Sequence, residues 1–144
     1  MTATITEPGR RARWVAVLAA AATAALYGLI GLGVLPIGVP ADGSPPDLVG
    51  FGLGLGGIFA LVAVSVALVR HRAVLAVAAA LQVLVIVGYF ALASVREPQF
   101  EVWGLVVKGC QAVLLVAVGY MLLAGRRTGL RGIGARTTTA PHAS

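Results

Sequence analysis

Four apolar runs, each about twenty residues long and each bounded by charge, proline or glycine, dominate the pattern of this chain. They cover residues 14–35, 48–69, 73–95 and 102–124. A helix rises about 1.5 Å per residue, so roughly 20 residues cross a hydrocarbon core about 30 Å thick. Backbone N–H and C=O groups find no partners in lipid, and four strands cannot close a barrel, so each run is expected to be helical. The pattern predicts an all-α fold, a four-helix transmembrane bundle over residues 14–124. A short tail, 1–13, precedes it, and a basic, disordered tail, 125–144, follows it.

The breaks between runs agree with this division. Pro36 to Asp47 holds four prolines, a Gly43-Ser44 pair and two aspartates, the composition of a solvent loop. Arg70-His71-Arg72 makes a tight basic turn. Arg96-Glu97-Pro98 makes another, with Pro98 suited to a first helical position.

Composition adds the medium. Hydrophobic residues are 59% of the 144 and charged ones 11%, more apolar surface than a soluble domain of this size can hide. A net charge of +6 on a soluble protein would suggest nucleic acid. Here the arginines sit at the ends of apolar runs, so the expected partner is the lipid bilayer and not nucleic acid. Arg10, Arg11, Arg13, Arg70, Arg72, Arg126, Arg127, Arg131 and Arg136 all fall on one side. The other side has Arg96 with Asp42, Asp47, Glu97 and Glu101. The excess of arginine marks the cytoplasmic face, which predicts a multi-pass plasma-membrane protein with both termini inside. Trp14 at the inner boundary, and Phe51, Phe100 and Trp103 at the outer one, fit an aromatic belt. The first run is too long for a signal-peptide core and lacks a small-x-small cleavage site, so it is expected to stay as a helix.

Lys108, the single lysine, lies inside the fourth run, where a charge costs several kcal/mol unless paired, solvated or able to reach the interface. Two readings follow. In the simpler and favoured one its stem carries the ammonium to the interface, or it pairs with Glu101 two turns away. In the other it forms part of an outward-facing pocket that attracts an anionic group. Helical rise gives the depths: Lys108 and Tyr89 share a level roughly 9 Å below the outer boundary, and Gln82 and Gln111 lie nearer the midplane. Thr23 and Tyr27 of the first helix match those two levels. The register therefore allows a polar cluster of Tyr27, Gln82, Tyr89, Lys108 and Gln111. Taken singly, each glutamine is interhelical glue worth about 0.6 to 2 kcal/mol.

The small residues carry a second signal. Gly52-Leu53-Gly54-Leu55-Gly56-Gly57 matches GxGxxG literally, but a dinucleotide site needs a preceding strand, a βαβ unit and a later acid, none of which the second run supplies. What remains is smallness: Gly50/Gly54 and Gly52/Gly56 are four-residue pairs on neighbouring faces, able to admit another helix closely. Ala16, Ala20, Ala24 and Gly28 form a matching row on the first helix. It can dock within the bundle or against a second copy or a larger membrane complex.

Several chemistries lack their residues. A thiol oxidoreductase needs cysteine pairs, and Cys110 stands alone. A membrane b-type cytochrome needs histidines in its spans, and His71 and His142 lie outside them. A proton-driven exporter of the small multidrug-resistance type uses a glutamate within its first helix, and no run here contains an acid. Ser65 has no neighbouring base to activate it. The sequence thus predicts no enzyme, cofactor or metal site.

Ala25-Leu26-Tyr27-Gly28-Leu29, the proline-rich outer loop and the Arg/Ala-rich composition resemble small four-span membrane proteins of actinobacteria. That resemblance implies the general four-span plan and no activity. A tryptophan and paired glycines expected after the Tyr-Gly element are missing. The expected function is a non-enzymatic accessory or structural membrane component. The alternative is a small transporter or lipid- or anion-binding protein working through the Lys108 pocket.

Overall fold

A computed structural model of the chain describes residues 7–36, 39–40, 47–69, 71–91, 96–97 and 101–134. Four helices dominate: α1 (Glu7–Gly31), α2 (Leu48–Leu68), α3 (Arg72–Ala91) and α4 (Val102–Gly134). Each contains a stretch long and apolar enough to cross a membrane: Gly9–Gly31, Val49–Leu68, Arg72–Ala91 and Val102–Ala124. Two short strands, β1 (Val39–Pro40) and β2 (Arg96–Glu97), pair antiparallel, with Val39 opposite Glu97 and Pro40 opposite Arg96. Among the described residues the fold is all-helical apart from this two-residue ladder, which lies in stretches that read as loop or turn. The ladder ties the α1–α2 connection to the α3–α4 connection at what is called here the β end. The start of α1, the α2–α3 turn and the last residues of α4 lie at the opposite, terminal end.

Hydrogen bonding, not hydrophobicity, sets the helix ends. α1 stops at Gly31 although the apolar run continues to Leu35. Gly33 takes φ 71°, Val34 N–H donates to Leu29 C=O at 2.9 Å, and Gly33 N–H donates to Ile30 C=O at 2.9 Å. This is a Schellman closure, and glycine enters the left-handed region without a Cβ penalty. At the start of α2 the Asp47 carboxylate accepts from Gly50 N–H at 2.9 Å, satisfying one of the orphan donors of the first turn. At the terminal end two helices outrun their apolar segments. α1 already begins at Glu7, inside the expected tail, and α4 continues through residues 125–134, a stretch expected to be disordered. Asp42, Arg70, Pro98, Phe100, residues 92–95 of the third run and the tail beyond 134 lie outside the described residues.

α1 is the central helix. It packs along α2 on one side and α4 on the other, while α3 lies mainly against α4 and barely meets α2. The core runs along α1: Ala16, Ala20, Tyr27, Phe59, Val66, Leu114 and Val118 are all buried. Tyr27 stacks on Phe59, with ring centroids 5.7 Å apart. The outer faces are apolar, with Leu18, Leu61, Leu84 and Val116 largely exposed.

Glycine brings α1 and α2 together. A Cβ on Gly52 would fall on the backbone of Gly31, and one on Gly31 would lie 2.8 Å from Leu53 N. A Cβ on Gly56 would sit 3.1 Å from Ala24 O and 3.3 Å from Gly28 N. Of the two glycine pairs read from the sequence, only Gly52/Gly56 faces this seam. Gly50 lies against its own cap Asp47, and a Cβ on Gly54 or Gly28 would meet nothing within 4 Å. Ala16 and Ala20 are fully buried inside the bundle. The α1 row and the Gly52/Gly56 pair thus serve packing within one chain.

Two basic side chains also hold the bundle. Arg13 donates to the carbonyls of Ala67 (3.4 Å) and Val69 (3.2 Å), unpaired acceptors at the C-terminus of α2. Arg72 donates to Leu122 C=O of α4 at 3.1 Å.

Candidate functional site

The five polar residues that the register placed at similar depths meet between α1, α3 and α4. Tyr27 comes from α1, Gln82 and Tyr89 from α3, and Lys108 and Gln111 from α4. A three-residue step on a helix puts Lys108 and Gln111 on one stripe, one turn apart. The Lys108 ammonium donates to Gln111 Oε1 at 2.8 Å and to Tyr27 Oη at 3.2 Å. Gln111 Nε2 also donates to Tyr27 Oη at 3.4 Å, closing a triangle of three side chains. The ammonium lies 4.8 Å from the centroid of the Tyr89 ring and 5.8 Å from that of Tyr27. In a desolvated setting a cation over an aromatic face gains about 2 kcal/mol.

Lys108 is only 8% exposed. The sequence favours a lysine either snorkelled or paired internally, and of those two courses Lys108 does not take the snorkelled one. Its bonds to Gln111 and Tyr27 hold the ammonium toward the middle of the bundle, because neutral oxygen acceptors lie closer there than the interface does. Charge-assisted bonds of this kind contribute roughly 1.5 to 3 kcal/mol each, enough to compete with the reach to water.

Gln82 is fully buried and donates to the backbone carbonyl of Gln111 at 3.5 Å. Its Oε1 has no hydrogen-bond partner among the described residues. An unmet buried acceptor costs about 1 to 3 kcal/mol, so this amide ties α3 to α4 at some expense.

A cleft of about 310 Å³ opens beside the cluster, with walls from all four helices. Lys108, Tyr27 and Tyr89 reach into its lining; Phe51, Leu55, Leu84 and Val85 make its apolar sides. Two further lining residues were not among the sequence-derived site residues. Gly104 seats Tyr89: a Cβ there would lie 2.6 Å from Tyr89 Oη and 3.0 Å from its ring. It shares the Lys108–Gln111 stripe, and that was the signal available for it. Glu101, buried at the start of α4, also lines the cleft, about 10 Å from Lys108 along the helix axis toward the β end.

Chemically the site offers one cation, two amides and two phenols, with the Glu101 carboxylate nearer the β end, beside an apolar hollow. Among the described residues no group of three or more His, Cys, Asp or Glu side chains comes together to hold a metal. The arrangement can bind and orient an anionic or hydrogen-bonding group through a fixed charge in a low-dielectric setting. Comparison of the chain with protein-family models, curated proteins and solved structures finds no match.

Proposed function

We propose that this protein is a multi-pass plasma-membrane protein, with both termini in the cytoplasm, that binds an anionic amphiphile of the membrane at the Lys108 cleft. The observation that carries this reading is a lysine ammonium, bonded to Gln111 and Tyr27, at the wall of a largely apolar cleft that Glu101 also lines. A ligand anion there gains Coulomb attraction at low dielectric, and its hydrocarbon part gains the apolar walls. Glu101, nearer the β end, would meet any positive group that the ligand carries beyond its anion. The reading as a structural or accessory component, with the small-residue seams serving packing or assembly, is the one expected from the sequence; the polar cluster beside a cleft is what favours binding over it.

The orientation rests on the arginine asymmetry, and the cleft then opens near the outer face. In a Cys110→Ser background, cysteines placed at Thr4 and Thr138 are expected to resist a membrane-impermeant thiol reagent in intact cells, while one at Ser44 reacts. Labelling of Thr4→Cys or Thr138→Cys, with Ser44→Cys protected, would reverse the orientation.

Binding is tested on purified protein in nanodiscs of neutral lipid, titrated with phosphatidylglycerol and, separately, phosphatidylcholine of the same chains. The native protein should prefer the anionic lipid. Lys108→Met should weaken phosphatidylglycerol binding at least tenfold, about 1.4 kcal/mol, and remove the preference over phosphatidylcholine. Equal affinities of the native protein and Lys108→Met for phosphatidylglycerol would sink the proposal.

A further inference from the structure

The neighbouring helices α2 and α3 meet only sparsely, and the gap between them has a defined shape. Beyond the Lys108 cleft a second cleft, of about 390 Å³, lies between the same two helices toward the terminal end. Along α2 the lining passes from Phe51 and Leu55 of the first cleft to Ile58, Val62 and Ser65 of the second. Along the antiparallel α3 it passes from Tyr89 and Val85 to Leu81, Ala78 and Val74. Each step is three or four residues, so both linings stay on one helix face and the two clefts form a single line. From Phe51 to Ser65 that line is about 21 Å long, more than the roughly 15 Å of hydrocarbon in one leaflet.

The line is polar at one end and apolar along the rest. Lys108, Tyr27 and Tyr89 stand in the first cleft. In the second, Ser65 is the single polar residue among the nine that line it. On the α3 wall Ala73 and Ala78 leave volume unfilled beside Val74, Val77 and Leu81. The stretch of α3 apolar enough to cross a membrane is 17% buried, against 39% for that of α1. The slot is therefore open sideways along its length.

We propose that the ligand is a lipid with one long hydrocarbon chain laid along the α2–α3 slot, admitted sideways from the bilayer with its anion against Lys108. This deepens the proposed function and rests on it. Charge complementarity selects the occupant: Lys108 stands at one end of a slot that is apolar beyond it, with Glu101 on the same lining nearer the β end, which matches an amphiphile whose anion meets Lys108. An apolar helix from another protein would bring no anion to that end.

The test uses alkyl phosphates of rising length, hexyl, dodecyl and hexadecyl, on the full chain in nanodiscs. Ala78→Phe fills the slot away from Lys108. It should bind hexyl phosphate as the native protein does and lose tenfold or more of the gain on lengthening to hexadecyl. Val77 lines the same cleft and is 68% exposed, so Val77→Trp supplies the same obstruction if Ala78→Phe does not fold. If both folded variants keep the full chain-length gain, the slot does not hold the chain and the inference is overturned. A native dimer that Val77→Trp splits, with the gain retained, would assign the slot to a second copy and overturn it equally. Hexyl phosphate binding that is the same in the native protein and in Lys108→Met would instead bring down the Lys108 reading itself, a result separate from the chain-length comparison.

Discussion

Replacing Gly52 with alanine destabilises the bundle by about 2 to 3 kcal/mol, the upper range for forcing volume into a packed interior. The new methyl would fall on the backbone of Gly31, and backbone cannot turn aside as a side chain can. Relief requires α1 and α2 to separate along their whole length. That loosens the stacking of Tyr27 on Phe59 and the contact of Gly56 with Ala24 and Gly28. In a membrane, helices gain from close packing and not from escape from water, so a small increase in separation is costly. Neighbouring glycines grade the effect. Gly56→Ala needs its neighbours to give by a few tenths of an ångström and should cost about 1 kcal/mol. Gly54→Ala meets nothing within 4 Å and should be neutral or gain up to about 1 kcal/mol from helix propensity. Unfolding by SDS titration from mixed micelles measures the series. Equal stabilities for the three variants would refute the close-approach account of the seam.

The second large effect is at the cluster. Gln111→Leu removes the 2.8 Å acceptor of the Lys108 ammonium and the donor to Tyr27, while the charge stays buried. The loss of a charge-assisted bond at a buried site sets the cost at about 2 to 3 kcal/mol. The backbone carbonyl that receives Gln82 survives the change, so the tie between α3 and α4 is kept. Lys108→Met in the same chain removes the charge that needed the amide. The double variant should therefore recover most of the loss, as replacing a whole buried polar group by apolar side chains often does. The same SDS titration on the two single variants and the double completes the cycle. A double variant equal to the sum of the singles would show that the Lys108 charge does not depend on Gln111. The expected recovery shows that it does.

The positions of these residues along the bundle could be read from the chain, but their contacts could not. The rise per residue is the same in every helix, so Lys108 and Tyr89 fall at one depth, and Gln82 and Gln111 within about 6 Å of each other, whatever surrounds them. Rotation about each axis has no such constant. Gly50/Gly54 and Gly52/Gly56 are equivalent as patterns, and only the position of α1 selects the second pair. Lys108 shows the same division. Its stem is long enough for the interface or for the interior, and the oxygens of Gln111 and Tyr27 decide its direction. Arg13 and Arg72 read as surface charges, yet they spend hydrogen bonds on carbonyls of α2 and α4, because their carriers lie beside those helices. Gly104 was on the right stripe, but its use as a seat for Tyr89 depends on where α3 leans.

The sequence by itself determined four helices of membrane-crossing length, the loops that divide them and the level of each polar side chain. Hydrophobicity, helical rise and the chemistry of proline and glycine act locally to set those features. Tertiary structure alone decided that α1 is central, that α2 and α3 stand apart, and that Lys108 turns inward beside the resulting slot. Those outcomes depend on which surfaces fit together across distant segments, and an apolar exterior leaves almost no trace of that choice in the order of the residues.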